Sequence, residues 1–378
     1  MQQPMHRRAL SADLSAKFDL GPQPDAETVA QHIGLVTDAV VDATLHKYDA
    51  LHPGYLLYSP QKQVNELVEG CYYHLEFLAS VVRNDTPAVY AQQALWLVNM
   101  LHDRDGNTDT MDQIVEMMVQ VLELLGQELR LRLGDGAWML LRVPLDAALA
   151  AVQKDTSTHH VYTMPPANAL MGAYLNALLK GNRLVAQELS LNAMNTGLSL
   201  ADIYTQIFQP ALYEVGRLWE VGQVSVAQEH LATAITQSVI SVLYAQAKLP
   251  PSRGEAVIVA CMEENYHEIG ARMAADVLQL AGYDAYFLGA NAPQDSLIAM
   301  IDEIKPVAIG LSSTLPNHVD TVRNAIDRVR STFSTHRPAI ILGGISFNTS
   351  EGLWQRVGGD VWGSDVRLAV KEFSGVEL

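Results

Sequence analysis

A histidine stands at position 267, in the run Glu263-Glu264-Asn265-Tyr266-His267-Glu268-Ile269-Gly270. It follows a short apolar, β-branched run from Ala256 to Cys261. A histidine just past the first strand of a parallel sheet lies at the edge where such sheets bind ligands. Its imidazole nitrogen is a good donor to a borderline transition metal. Gly270, opening the next helix, lets backbone or ligand approach closely. A loop histidine that only caps the helix is the competing reading. Two further features share this edge: Ser313-Thr314-Leu315 after the third apolar run and Gly343-Gly344 after the fourth. Small residues and a hydroxyl there leave room for a narrow ligand tail. Loop chemistry alone explains either feature singly, and explains the constellation poorly.

A second group lies upstream, in the run from Trp219 to His230. Ser225 is a candidate N-cap, and Val226, Glu229 and His230 follow at spacings that share one helix face. A flat indole, a carboxylate and an imidazole on one face suit a nucleoside, since the carboxylate accepts from sugar hydroxyls. The alternative puts Trp219 in a core and Glu229-His230 on a solvated edge.

These residues need elements to position them. Residues 1–25 read as a loose arm and 26–155 as an all-helical sensor domain. The polar stretch 156–166 reads as a linker. Four helical segments over 167–250 form a bundle. From 251 to 378, apolar runs at 256–261, 283–288, 307–311 and 339–342 alternate with helical stretches at 268–281, 294–304 and 317–332. That alternation predicts a doubly wound, Rossmann-like α/β domain.

The C-terminal half resembles the cobalamin-binding domains of methionine synthase, corrinoid carriers and adenosylcobalamin photoreceptors. Their pattern is an acidic residue, one residue, His, two residues, Gly, then Ser-x-Leu, then Gly-Gly. His267, Gly270, Ser313, Leu315, Gly343 and Gly344 fit it. The resemblance implies that His267 ligates cobalt from below, while the cofactor's nucleotide base is buried near Ser313 and Gly343. Asn265 departs from the acidic position. Its amide oxygen is expected to accept the second N–H of His267 without charge, which weakens the His–Co bond.

Trp219, nine residues, then Glu229-His230 is similar to the photoreceptors in particular, and Val226 matches an upper-pocket position there. The resemblance implies that the bundle caps the corrin and encloses a 5′-deoxyadenosyl group, with Tyr266 and Asn265 also near the cofactor. Glu220 stands where DNA-binding members carry a histidine, which leaves His230 as the candidate second ligand after illumination.

The helical domain ahead of this module makes the architecture similar to photocobilins, which bind biliverdin as well as cobalamin. It is expected to be globin-like. Tyr72, His74, Phe77, Arg83, Tyr90, Trp96, His102 and Arg104 are the candidate bilin residues, with rings to pack on a tetrapyrrole and cations to pair its propionates. An aromatic core explains the same rings. Cys71 reads either as a covalent anchor or as a small buried residue.

Composition narrows the rest. Among 378 residues, 49% are hydrophobic and 18% charged, as in globular domains with real cores. A formal net charge of −17 opposes direct binding to nucleic acid or an anionic membrane. Two cysteines, Cys71 and Cys261, exclude a disulfide framework and fit a cytoplasmic protein. The expectation is a non-enzymatic light sensor that uses adenosylcobalamin, with biliverdin as second chromophore. It would signal through a homo-oligomer or a light-dependent partner. The alternatives are a corrinoid methyl carrier and a dark sensor of cobalamin level.

Overall fold

The computed structural model describes residues 16–103, 110–154, 168–220, 223–315 and 317–376. The expected linker 156–166, Arg104 and most of the N-terminal arm lie outside them. The chain divides into two compact units, Met1–His102 with Asn107–His159, and Asp103–Gly106 with His160–Leu378.

The first unit is helical throughout its described elements: α1 (Ala26–Leu51), α2 (Tyr55–Tyr58), α3 (Gln61–Asn84), α4 (Pro87–Asp103) and α5 (Met111–Gln153). Asp25 caps α1 by accepting the Thr28 N–H at 2.7 Å. Val29, Ile33, Val36 and Val40 recur at helical spacing and are fully buried. They pack with Leu75 and Leu78 of α3 and with Leu122, Leu125 and Leu129 of α5. Each such burial stabilises the fold by about 1.5–3 kcal/mol. Helical geometry breaks inside α5 at Gly134, whose φ of 84° favours glycine. Within this core, buried Glu128 accepts from Lys47 at 2.7 Å and from Arg132 at 3.3 Å. Arg132 also donates to the carbonyls of Ala16 and Ala39, so the buried charges are paired.

The second unit begins with four helical rods. These are α6 (Ala169–Leu179), α7 (Arg183–Asn195), a composite third rod, and α10 (Val226–Tyr244). The third rod joins α8 (Leu200–Ile203), a π turn over Tyr204–Phe208, and α9 (Gln209–Glu220). Pro210 accounts for the π turn, because it cannot donate to the Gln206 carbonyl. Asn168 donates to that carbonyl instead, at 3.2 Å, while its oxygen caps α6 through the Met171 N–H.

A five-stranded parallel sheet follows, in the order β2-β1-β3-β4-β5. Its strands are β1 (Ala256–Cys261), β2 (Asp284–Phe287), β3 (Ala308–Ser312), β4 (Ala339–Gly343) and β5 (Val361–Trp362). The helices between them are α11 (Ile269–Leu280), α12 (Gln294–Ile304) and α13 (Asn317–Thr332). After β4 come α14 (Ile345–Asn348), α15 (Leu353–Arg356) and α16 (Val366–Ser374). β1 is buried on both faces, with period-two alternation. Val257, Val259 and Cys261 join a core shared with Ile235, Val239 and Leu243 of α10. Ile258 and Ala260 face a second core with Leu297 of α12 and Val322 and Ile326 of α13. The sheet thus carries the helical bundle into its own core. β5 was not expected, since two half-buried residues leave no periodic pattern to read. No helix among the described residues is long and apolar enough to cross a membrane.

Candidate cofactor site

Strand register sets the site. Cys261, Ser312 and Gly343 stand in one row across β1, β3 and β4, so the loops that follow leave the sheet at one height. Strand order reverses at β1, and the crevice outside the carboxyl ends at such a point is where open α/β sheets hold ligands.

The loop after β1 is tightly held. Glu264 adopts a left-handed φ of 69°, and its N–H donates to Asn291 at 2.9 Å. The Asn291 N–H donates in turn to the Asn265 carbonyl at 3.1 Å. Asn265 is buried, and both ends of its amide are used. Its nitrogen donates to the Ser312 carbonyl at 2.8 Å, and its oxygen accepts the backbone N–H of His267 at 3.1 Å. This differs from the expected bond to the imidazole. A buried amide must satisfy both polar ends, and the nearest donor is the loop backbone. Asn265 therefore fixes the path of the loop.

His267 is exposed to solvent at its surface, yet protein atoms crowd around its ring. That enclosure lowers its pKa from the usual imidazole value, and the negative charge of Glu229 opposes the shift. Glu229 sits in the first turn of α10. Residues from the two groups singled out in the sequence are therefore within electrostatic reach of each other.

Ser313 is fully buried; its hydroxyl lies 3.2 Å from the Leu315 carbonyl and 3.3 Å from Ser346 Oγ. Gly343 and Gly270 have open space where a side chain would project. Gly344 has none: a Cβ would collide with the Ser313 backbone.

On the bundle side, Trp219 is half-buried near the end of α9, and the N–H groups of Gln223 and Val224 fold back onto the Leu218 carbonyl. Ser225 and Gln228 form a reciprocal capping box that starts α10. Val226 is 52% exposed and Tyr266 70%. Glu229 accepts from His230 Nδ1 at 2.6 Å and from Thr233 at 3.0 Å. Tyr204 of the π turn donates to Asp276 of α11 at 2.7 Å, and Arg367 pairs with Asp202. Both bonds tie the bundle to the α/β fold.

Comparison with known proteins agrees with this geometry. Residues 170–244 match the family model of a B12 binding domain, and residues 255–371 match a second B12 binding domain model. The C-terminal half is a B12-binding module. The HTH-type transcriptional repressor CarH of Myxococcus xanthus is 27% identical over 175 residues, 46% of this chain and 54% of the repressor. The chain thus spans about half the length of that relative. A corrinoid protein of Desulfitobacterium hafniense is 22% identical over 207 residues, 54% of this chain and 95% of that protein. The trimethylamine corrinoid protein of Methanosarcina barkeri is 20% identical over 189 residues, 49% of this chain and 86% of that protein. Among solved structures, the monomethylamine corrinoid protein of Methanosarcina barkeri aligns with a TM-score of 0.47 at 18% identity, over 52% of this chain and 93% of that one.

The residues of the B12-binding module fit the group its family names. His267 is an imidazole disfavoured from protonation, and Gly343, the last residue of β4, has open space at the sheet edge. Two residues of the module escaped sequence reasoning. His318 is buried beside the Ser313 loop, and its Nδ1 accepts the Leu315 N–H at 3.4 Å. Burial first, and then the nearby His267, push its pKa down to about 4. Glu268 accepts from Gln237 and from the Ala290 N–H. Its position directly after His267 was the available signal. His318 offered none beyond its closeness to Leu315 in sequence.

The described N-terminal candidates divide by burial. His74, Phe77 and Tyr90 are buried and pack on one another, with Tyr90–His74 ring centroids 5.8 Å apart and Tyr90–Phe77 6.2 Å. His74 bridges Met118 Sδ and the Tyr90 hydroxyl, and burial lowers its pKa to about 4. Tyr72 donates to Asp38 at 3.0 Å, and Arg83 pairs with Glu27 at 2.8 Å. Trp96 is half-buried and His102 exposed. Cys71 is fully buried, and desolvation pushes its thiol up to about 12, which keeps it protonated.

Proposed function

We propose that this chain is a light sensor that binds adenosylcobalamin between the helical bundle and the sheet edge. The observation that carries the reading is the electrostatic reach between Glu229 of the bundle and His267 of the β1 loop. His267 offers a neutral imidazole to cobalt, while Trp219, Val226 and Glu229 enclose the adenosyl group, and Asn265 and Tyr266 shape the edge below. Bound adenosylcobalamin supplies a light-labile cobalt–carbon bond. Loss of the adenosyl group would remove the contacts that Trp219, Val226 and Glu229 would make with it. A ligand shifts a conformational equilibrium only through such differential contacts. The output is a change of self-association or of partner binding. A net charge of −17 supports this over direct contact with DNA.

The N-terminal unit, in a globin-like arrangement, is the proposed home of biliverdin. The concentration of rings on α3 and α4 supports this, with Tyr72, Arg83, Trp96 and His102 nearer the surface than His74, Phe77 and Tyr90. A tetrapyrrole that entered among the latter three would have to open their packing. A methyl-carrying corrinoid protein is the second reading, supported by corrinoid relatives that match over 86–95% of their length.

The test is an absorption spectrum of protein loaded in the dark with adenosylcobalamin and biliverdin, before and after green light, with size-exclusion chromatography alongside. Photolysis with a change in elution is expected. Cobalamin that binds while assembly ignores light overturns the sensor reading in favour of the carrier or of a dark vitamin sensor. Biliverdin that binds equally to a chain lacking residues 1–155 removes the second chromophore site.

A further inference from the structure

Helix α11 starts two residues after His267, with Glu268 as its N-cap, and helix α10 carries Glu229 in its first turn. A row of polar bonds joins the two helices. Gln237 Nε2 donates to Glu268 Oε1 at 2.7 Å, Arg272 Nη2 donates to Ser241 Oγ at 2.8 Å, and the Tyr244 hydroxyl donates to Gln279. On α10 the partners fall at i, i+4 and i+7, and on α11 at i, i+4 and i+11, so each set keeps to one face. Positions rise together along both helices, which makes the row a register: sliding α10 by one turn would break every bond in it.

Glu268 is the member nearest the ligand histidine. Its second oxygen accepts the backbone N–H of Ala290 at 3.0 Å. One carboxylate thus ties three elements: the His267 loop, the chain after β2, and α10. Gln237 lies eight residues, about two helical turns, beyond Glu229. The axial position of Glu229 relative to His267 is therefore set by where Gln237 is held.

We propose that Gln237 and Glu268 are positioning residues that fix the height of the adenosyl-binding face above the cobalt ligand, and so set the module's preference for adenosylcobalamin over cobalamins with a small upper group. This rests on the light-sensor reading of the same site. A polar register suits the role better than an apolar seam, because hydrogen bonds are directional and fail on a shift that greasy packing would tolerate. Neither residue touches the cofactor in this scheme.

An exchange experiment tests it. Dissociation constants for adenosylcobalamin and hydroxocobalamin are measured in the dark for the full chain and three variants. Gln237→Glu sets two carboxylates against each other. Glu268→Gln must offer its single oxygen to either Gln237 or Ala290. In the double exchange, the new amide donates to the new carboxylate and its oxygen still accepts from Ala290, so the bond returns with reversed direction. Each single variant is expected to lose about tenfold of the adenosyl preference, the effect of losing one charge-assisted bond. The double exchange is expected to recover most of it. Single variants that keep the preference, or a double variant as impaired as its parents, overturn the proposal; the latter pattern marks two independent packing defects. A wild-type chain with no preference overturns the adenosyl-pocket reading itself, and this inference with it.

Discussion

Gly344 lies against the backbone of Ser313 with no room for a side chain, and its φ of 98° is one that L residues rarely adopt. The Ser313 N–H also donates to the Gly343 carbonyl at 3.0 Å, and the Ser346 N–H to the Ser313 carbonyl at 3.3 Å. Gly344→Ala therefore has both a clash and a strained dihedral to accommodate. A loss of about 2–4 kcal/mol is expected from urea midpoints. Gly343→Ala, with open space at the same edge, should leave the midpoint within about 1 kcal/mol and weaken cobalamin binding instead. Equal effects on stability would contradict this division of roles.

His267→Ala removes the only imidazole on the β1 loop. Bound cobalamin is expected to lose the spectral features of an imidazole-ligated cobalt, with affinity reduced at least about tenfold. An unchanged spectrum would remove His267 from the coordination sphere.

Trp219→Ala separates the two faces of the site. Adenosylcobalamin should weaken by about 1–2 kcal/mol more than hydroxocobalamin, because only the former carries an adenine ring on its upper face to lay on the indole. Parallel losses for both ligands would assign Trp219 to packing.

His74 gives the N-terminal unit an acid limit. Its folded-state pKa near 4 lies below the ordinary 6.5, so the unfolded chain binds the proton first as pH falls. The associated stability is complete above about pH 6.5 and drains away toward pH 4. It amounts to about 3 kcal/mol at most, since each pKa unit corresponds to about 1.4 kcal/mol. His74→Gln should flatten stability between pH 6.5 and 4 by about one proton, read from urea titrations at several pH values. An unaltered slope would mean that His74 takes up its proton in the folded state.

Tyr204→Phe tests the tie between the π turn and α11. Burial raises the pKa of Asp276, and the Tyr204 hydroxyl is the largest influence opposing that rise. Removing it should raise the Asp276 pKa further and cost about 1–3 kcal/mol. Carbonyl-region infrared spectra against pH would report the first effect and thermal unfolding the second.

Much of the module was legible because its signals are local. The runs at 256–261 and 339–342 became β1 and β4 nearly to the residue, since buried parallel strands must be continuously apolar. Ser225 announced α10 through the chemistry of its own side chain. Asn265 was harder. Its type said only that it would need two partners, and which ones depended on how Ser312 and the His267 backbone came round it. The π turn lay hidden because Pro210 predicts an interruption without its form. The rings of α3 and α4 leave two readings open. A tetrapyrrole pocket and a packed aromatic core draw on the same residues at the same spacing, and only burial tells them apart.

Both cysteines of this chain are fully buried, and desolvation pushes each thiol up to about 12. At neutral pH neither presents an appreciable thiolate to a maleimide. A cysteine introduced at an exposed position, such as Leu184 at the start of α7, would therefore react alone, without prior removal of native thiols. The fold offers a ready background for single-site dye labelling, by which the proposed displacement of the bundle under light could be timed directly.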